Sequence, residues 1–248
     1  MAPVVLSVLA HPDDAEFFCA GTLIRLVREH AWRAHIASMT AGDCGTTQMS
    51  PQAISQVRRA EGAQSAGLLG ASYHCLEEND LLICYNERTL EKVVRLLRAV
   101  RPDIVLTHSP VDYIVDHEMT SLVARAAAFA APAPNFFCNH GHAAPLERIP
   151  YLYYCDPAEG KDALGHAVPC DFVVDIGSVI DLKAAMLACH ASQREWLLRQ
   201  HGMDHYVQSM RDWSAARGRP QHYSFAEGFR QHRGHSYPQD NKLGTLLG

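Results

Sequence analysis

A histidine and two carboxylates follow a short apolar run near the start of the chain. The run from Pro3 to Leu9 is rich in valine, and His11, Asp13 and Asp14 come directly after it. A histidine and a carboxylate three positions apart can bind the same divalent ion, while the remaining carboxylate can face a water molecule. The spacing therefore predicts part of a catalytic metal site, with His11 and Asp14 as two candidate ligands. A third protein ligand is still required.

A histidine after a later strand is the best candidate for that partner. His117 closes the segment that begins at Val111, and this segment follows a predicted strand over 103–107. In the common doubly wound order, strands one and four are neighbours, so the loops after them open into one crevice. Two imidazoles, one carboxylate and an open coordination position are typical of a catalytic zinc site. Iron(II) would suit the same ligands.

Parts of this pattern also have a purely structural interpretation. Asp14 can cap the helix that follows it, although Asp13 would then be redundant. Asp116 can cap the next helix, and that role does not exclude metal binding by its neighbour. Loop histidines pair by chance in a chain with 15 of them, as in His140 with His142 and His232 with His235.

The elements that position these residues alternate between strand and helix. Strands are predicted over 3–9, 34–40, 72–76, 103–107, 151–155 and 172–176, and helices over 52–69, 88–100, 117–130 and 178–200, with another from Asp14. This alternation predicts an α/β fold, a Rossmann-like doubly wound and mostly parallel sheet with helices on both faces. Residues 200–248 are predicted to be an irregular tail that wraps the domain or contacts another subunit. No linker composition interrupts residues 1–248, so we expect a single domain.

Composition and charge exclude several classes of protein. Hydrophobic residues are 48% of the chain and charged residues 20%, as in ordinary globular domains. A net charge of -5 gives no basic footprint for a nucleic acid or an anionic membrane. Eight cysteines without a C-x-x-C pair indicate neither a disulfide framework nor a thiolate zinc cluster. We expect a cytoplasmic protein with a small-molecule substrate and with no nucleic-acid or membrane partner.

Four motifs together resemble the PIG-L/LmbE family of zinc-dependent de-N-acetylases. They are Ala10-His11-Pro12-Asp13-Asp14-Ala15-Glu16, Asp116-His117, the turn at 40–45 and Arg58-x-x-Glu61. The family acts on N-acetylglucosamine derivatives, and the resemblance covers roughly residues 3–200. It implies a zinc-dependent hydrolase that removes acetyl from a small N-acetylated amino sugar.

The resemblance also assigns roles to individual residues. It implies that His11, Asp14 and His117 bind the metal and that Asp13 is the general base. In related members an acidic residue in the glycine-containing turn and a helix arginine contact sugar hydroxyls, which implicates Asp43 and Arg58. We expect Asp116 to assist catalysis by orienting a ligand histidine or the base.

One position departs from the family pattern. Members often have His-Pro-Asp-His as the second motif, and its first histidine helps to stabilise the oxyanion, but this chain has Ile114 at that position, which cannot donate a hydrogen bond. Some oligomeric relatives bring a C-terminal histidine into the site from an adjacent subunit. We therefore expect a homo-oligomer, a trimer or hexamer, in which His235, or less favourably His232, supplies the missing donor.

Two alternatives to an amino-sugar deacetylase stay open at this point. The chain could be a catalytically idle, metal-containing homologue that binds a sugar or regulates, because the second-motif histidine is absent. It could also be an amidase that acts on a non-sugar N-acyl substrate. The sequence leaves the aglycone, the pathway and the metal used in the cell undetermined.

Overall fold

A computed structural model describes residues 2–136, 143–201 and 205–248. The histidine pair His140 and His142, and also Cys138, lie outside the described residues. Within them, one sheet has the strands β1 (Val4–Leu9), β2 (Arg33–Thr40), β3 (Ser72–Glu78), β4 (Ile104–Thr107), β5 (Tyr151–Cys155), β6 (Phe172–Asp175) and β7 (Ala226–Gln231). The helices are α1 (Asp14–Phe18), α2 (Ala20–His30), α3 (Pro51–Leu69), α4 (Glu87–Val100), α5 (Val115–Ala130), α6 (Ile180–Ala188), α7 (Ala191–His201), α8 (Tyr206–Gly218) and α9 (Lys242–Leu247).

The strand order confirms the predicted doubly wound fold. The sheet runs β3-β2-β1-β4-β5-β7-β6, and neighbouring strands from β3 to β5 are parallel. Strand β1 pairs with β2 on one side and β4 on the other, as the sequence predicts. The loops after β1 and β4 therefore lie side by side at the carboxyl edge, where ligands bind in open α/β sheets.

Local sequence explains where the helices flanking this edge begin and end. The Ser50 hydroxyl caps α3 by accepting the backbone N–H of Ala53, and Gly70 ends the helix at a φ of +71°. Capping by Asp14 is not what the structure shows, because Asp14 is already the first residue of α1. Asp13 holds the N-cap position, but its side chain makes no capping hydrogen bond. Neither carboxylate therefore caps α1, although Asp14 Oδ2 accepts the backbone N–H of His11 at 2.7 Å.

The C-terminal part is more regular than the expected tail. Strand β7 lies inside the sheet, antiparallel to both β5 and β6, and the end of the chain forms α9. The long helix expected over 178–200 is divided into α6 and α7, with a break at Cys189 and His190. The sequence does not predict strand β7, because its residues, AEGFRQ, include a central glycine and charged side chains instead of an apolar run.

Apolar layers cover both faces of the sheet. One packs α1, α2, α6, α8 and α9 against it, and the other packs α4 and α5. The strands at the centre are buried on both faces, which explains the continuous apolar run of β1. Among the described residues, no helix combines the length and the apolar character needed to cross a membrane.

Candidate metal site and catalytic pocket

The three predicted metal ligands come together at the carboxyl edge of the sheet. His11 and Asp14 follow β1, and His117 lies in the first turn of α5, after β4. Their ligand atoms all lie within 4.8 Å of one another. Asp14 Oδ2 is 3.3 Å from His11 Nδ1, and Asp14 Oδ1 is 3.5 Å from His117 Nε2. This separation suits ligands arranged around a single ion.

The histidine chemistry of the cluster fits a bound cation. His117 is buried, and its ring nitrogens face two carboxylates: Nε2 lies 3.5 Å from Asp14 Oδ1 and Nδ1 lies 3.2 Å from Asp112 Oδ1, neither with the geometry of a hydrogen bond. Burial disfavours a protonated ring, but the Asp14 carboxylate outweighs it and raises the pKa of His117 to about 9. At His11, burial is likewise outweighed by Asp14 and Asp116, so that its pKa rises to about 10. The carboxylates therefore favour positive charge here, which a divalent metal ion would supply.

Asp116 has a contact that suits the predicted orienting role. Its Oδ2 lies 3.2 Å from His11 Nε2 and accepts the backbone N–H of Leu81 at 2.7 Å. The carboxylate is 1% exposed and is held by the backbone, so it can fix the ring orientation of His11. The other ring nitrogen, Nδ1, then faces Asp14.

Another possible ligand group, His108, Asp112 and His117, shares one histidine with the first. The His108 ring stacks on His117 with 3.7 Å between centroids, and burial together with His117 lowers its pKa to about 4. His108 Nε2 lies 3.0 Å from both the backbone N of Ala10 and Asp14 Oδ2, so it is engaged within the protein in either tautomer. His11, Asp14 and His117 line a cavity that neither His108 nor Asp112 reaches. This favours the His11, Asp14 and His117 set as the metal ligands.

Asp13 has entirely different partners from its neighbour Asp14. Its Oδ1 accepts a hydrogen bond from Arg58 Nη2 at 3.1 Å, and its Oδ2 accepts one from the Tyr206 hydroxyl. Burial and the Asp13 charge raise the pKa of Tyr206, so the phenol stays a donor. The two consecutive carboxylates thus have separate environments, one beside the histidines and one against an arginine and a tyrosine.

Arg58, the arginine that donates to Asp13, is closely packed. It is only 3% exposed, and a Cβ at Gly42 would lie 2.2 Å from its Nη1. Gly42 also has a φ of +73°, so glycine is needed there both for its backbone conformation and for the close approach. Arg58 lines the cavity, which is compatible with the predicted contact with substrate. That contact remains a prediction.

The other predicted substrate residue, Asp43, does not line the cavity. Its Oδ1 accepts the backbone N–H of Asp80 at 2.7 Å, while Asp80 Oδ2 accepts the N–H of Cys44 at 3.0 Å. These two bonds tie the loop after β2 to the loop after β3. The contact of Asp43 with sugar hydroxyls also remains a prediction.

The missing oxyanion donor is not supplied within this one chain by the C-terminal histidines. Ile114 lines the cavity directly before α5, as expected. His235 is exposed and is not among the residues lining the cavity. His232 instead lies 3.0 Å from the Tyr154 hydroxyl. A role for His235 in an adjacent subunit stays a prediction.

A cavity of about 630 Å³ surrounds the metal cluster and Asp13. Its walls are largely aromatic and apolar, with Phe17, Phe18, Leu81, Tyr113, Trp196, Leu197 and Trp213. One arginine and one lysine line it, and each has an acidic partner: Arg58 pairs with Asp13, and Lys161 lies 2.9 Å from Glu159. The carboxylates of Asp14, Asp80 and Asp162 face the positive charge that the histidine cluster favours. Among the described residues, the cavity lining thus offers no unpaired lysine or arginine and suits a neutral molecule better than a polyanion.

Sequence reasoning missed His108, Asp80 and Tyr206. His108 directly follows β4 just as the first motif follows β1, so its position at the carboxyl edge could have identified it. Asp80 likewise comes soon after β3. Tyr206 had no such signal, because α8 reaches Asp13 only through the packing of the whole domain.

Comparisons with known proteins agree with this architecture. Residues 6–128 match the model of the family described as PIG-L, GlcNAc-PI de-N-acetylase. A 4-oxalmesaconate hydratase from Pseudomonas putida is 29% identical over 199 residues, which are 76% of this chain and 73% of that protein.

Solved structures show the same fold at lower identity. An N,N'-diacetylchitobiose deacetylase from Pyrococcus horikoshii has a TM-score of 0.77 at 24% identity, covering 96% of this chain and 87% of the other. A 4-carboxy-2-hydroxymuconate hydratase from P. putida KT2440 has a TM-score of 0.74 at 22% identity, covering 97% and 98%. The family match and the shared fold confirm what the motifs predicted: residues 6–128 of the chain form a domain of the PIG-L/LmbE family.

Proposed function

We propose that this protein is a metal-dependent hydrolase that removes acetyl from an N-acetylated amino sugar, an N-acetylglucosamine derivative or glycoside. The observation that carries the proposal is the division of labour between consecutive carboxylates in one cavity. Asp14 lies with His11 and His117, whereas Asp13 stands apart on Arg58 and Tyr206. A site of this kind offers both an electrophilic centre and a separate base, which amide hydrolysis requires.

The residues His11, Asp14 and His117 would hold the ion, which we propose to be zinc. When bound, it would supply a Lewis acid for the acetyl carbonyl and for the attacking water. Asp116 would keep His11 in its binding orientation through the contact at Nε2.

Asp13 is the residue we propose as the proton carrier. It would take a proton from the attacking water and return it to the nitrogen of the leaving amine. Arg58 and Tyr206 restrict its carboxylate to one orientation, so the base is positioned before substrate arrives.

The charge of the cavity supports an amino-sugar substrate. An N-acetylated sugar is neutral, and its deacetylated product carries an ammonium group that the Asp80 and Asp162 carboxylates of the cavity would tolerate. Aromatic side chains such as Trp196, Trp213 and Tyr113 give the apolar faces on which sugar rings pack.

A hydratase is the second candidate, and the 29% identity to 4-oxalmesaconate hydratase favours it. That relative is named for an oxo-acid with several carboxylates, and recognition of such a molecule normally uses unpaired arginine or lysine side chains. Both cations that line this cavity have acidic partners already. On this ground we place the hydratase behind the deacetylase.

The deciding experiment compares the two reactions with the same zinc-loaded protein. N-Acetylglucosamine and its methyl and aryl glycosides are incubated, and mass spectrometry follows acetate and the free amine. A parallel sample contains 4-oxalmesaconate, and loss of its conjugated absorbance reports hydration. Acetate release supports the proposal, hydration alone replaces it, and sugar binding without acetate indicates an idle homologue. Release of acyl groups only from non-sugar amides would indicate the amidase alternative.

A further inference from the structure

A second cavity of about 510 Å³ lies against the metal-site cavity. Five residues line both cavities, namely Phe17, Phe18, Glu159, Lys161 and Trp213. We call this cavity the second chamber. Its volume lies in the range of ~300–1,000 Å³ that is usual for small-molecule sites.

The shared wall stands next to the reacting groups. The Phe18 ring contacts the His117 ring edge-on at 5.7 Å between centroids. The Phe17 ring lies 5.2 Å from Tyr206, the residue that donates to Asp13, and 5.4 Å from Trp213. The metal cluster is therefore separated from the second chamber by the thickness of one aromatic side chain.

The charged side chains that line the second chamber are already paired. Arg217 forms an ion pair with Asp156, and Lys161 lies 2.9 Å from Glu159. Glu227 accepts Lys183 Nζ at 2.7 Å and also the backbone N–H groups of Gly21 and Thr22, at the start of α2. An ionic ligand would have to break the buried pair at Glu227 or the partly buried pair at Arg217. The exposed pair of Lys161 and Glu159 opposes it only weakly.

The remaining residues that line the second chamber are apolar except for Ser214. Besides the shared Phe17, Phe18 and Trp213, they include Val168 and Ala216. Burying an apolar group here would gain free energy by removing it from water, without any cost in unpaired charge.

We propose that the second chamber binds an uncharged aryl or alkyl group of the substrate, attached beyond the reacting amide. This rests on the proposed function, because the amide must sit at the metal cluster for the attached group to reach the chamber. The group belongs either to the aglycone of the amino sugar or to an acyl chain longer than acetyl. Both sources have the same chemistry, and chain-length series distinguish them.

The first experiment measures kcat/KM with two series of substrates and the zinc-loaded protein. One series runs from methyl to hexyl and phenyl N-acetylglucosaminides, and the other from N-acetyl to N-hexanoyl glucosamine. The preferred series should gain roughly 10–100-fold in kcat/KM with the longer group, in line with burial of several methylenes. A gain in the first series identifies the aglycone, and a gain in the second identifies the acyl chain.

A matched pair of variants locates the effect. Ala216→Trp fills the second chamber from the exposed side of α8, whereas Ala63→Trp adds the same side chain on the exposed face of α3 and lines neither cavity. The chain-length gain should vanish in Ala216→Trp, while kcat/KM for the methyl glycoside with an N-acetyl group changes little. The Ala63→Trp control should keep the full gain.

Binding of products tests the second chamber without turnover. Calorimetry with zinc-loaded protein compares methyl with hexyl glucosaminide and acetate with hexanoate, in wild type and Ala216→Trp. Tighter binding of one hexyl or hexanoyl product, lost in Ala216→Trp, supports the chamber even if no acetate is ever released, so the proposed function can fail separately. Acetate release with no dependence of rate or binding on chain length would overturn the chamber proposal alone. So would a chain-length gain that persists in Ala216→Trp.

Discussion

Replacing Asp13 and Asp14 one at a time by asparagine should give two different failures, although the side chains are adjacent and the changes are nearly isosteric. Asp14 touches the histidines, so Asp14→Asn should lower zinc content together with activity. Asp13 touches Arg58 and Tyr206, so Asp13→Asn should keep its zinc. Loss of the general base should lower turnover by roughly 10²–10⁴-fold.

The Asp13→Asn change also has a cost in stability that follows from burial. Arg58 is 3% exposed, and without the Asp13 carboxylate its guanidinium would be a buried and uncompensated charge. Breaking a buried pair by removing one partner costs about 3–5 kcal/mol. For a chain of this size we expect the midpoint of thermal unfolding to fall by roughly 6–20 °C.

A double variant separates the stability effect from catalysis. Arg58→Met in the Asp13→Asn background removes both charges and keeps much of the apolar stem of the arginine, so most of the lost stability should return. Turnover should stay low, because the base is still absent. The assays are thermal unfolding, zinc content by atomic emission and acetate release. The assignment of roles is refuted if Asp13→Asn loses zinc as Asp14→Asn does, or if its turnover stays within about tenfold of wild type.

Three further predictions follow from the same geometry. His11→Ala and His117→Ala should each lose bound zinc and activity, and full zinc content in both by atomic emission would place the site elsewhere. The pKa values of these rings, about 10 and about 9, lie above the usual 6.5, so protonation stabilises the metal-free protein below pH 6.5. That stabilisation should be lost as pH rises through about 9–10, while zinc affinity rises, and calorimetry from pH 6 to 10 that showed zinc affinity independent of pH would contradict this. His235→Ala should lower turnover without loss of zinc, and mixing it with Asp13→Asn should restore part of the activity if the histidine acts in an adjacent subunit; unchanged turnover would exclude the role.

The structure explains why His235 is best tested by a point substitution. Removing the chain after Phe229 would cut β7, which runs to Gln231 in the interior of the sheet. It would also remove α9, whose Leu243 is buried in the core. Such a truncation would lose activity through unfolding, whatever His235 does.

The fold was predictable from the sequence where the elements are locally consistent. Strands β1 and β4 have apolar runs rich in β-branched residues, and capping residues such as Ser50 and Gly70 mark the helix ends. These signals give the order of elements, and the rule for doubly wound sheets places β1 beside β4. Strand β7 was not predictable in the same way, because it takes its conformation from pairing with β5 and β6 and not from its own composition.

The candidate site was predictable to the same extent, and for the same reason. His11, Asp14 and His117 lie at strand ends, where the topology alone brings them together. The partners of Asp13 come from α3 and α8, and no local pattern shows that both helices reach this carboxylate. The expected substrate contact of Arg58 illustrates the limit: the sequence identifies an arginine near the site, but only packing shows that it pairs with Asp13.

The candidate reaction centre and the walls of the cavity are distributed differently along the chain. The candidate metal ligands and Asp13 all lie within residues 6–128, the part that matches the family. The walls of the cavity come from both parts of the chain: Phe17, Phe18, Leu81 and Tyr113 lie in the matched part, and Trp196, Tyr206, Trp213 and the loop at 158–165 lie in later segments. Because Tyr206 also holds Asp13, the C-terminal half is coupled to the proposed base as well as to the substrate. Relatives that share residues 6–128 can therefore share a metal-assisted reaction centre and still differ in substrate, and even a hydratase and a deacetylase can be built on the same fold.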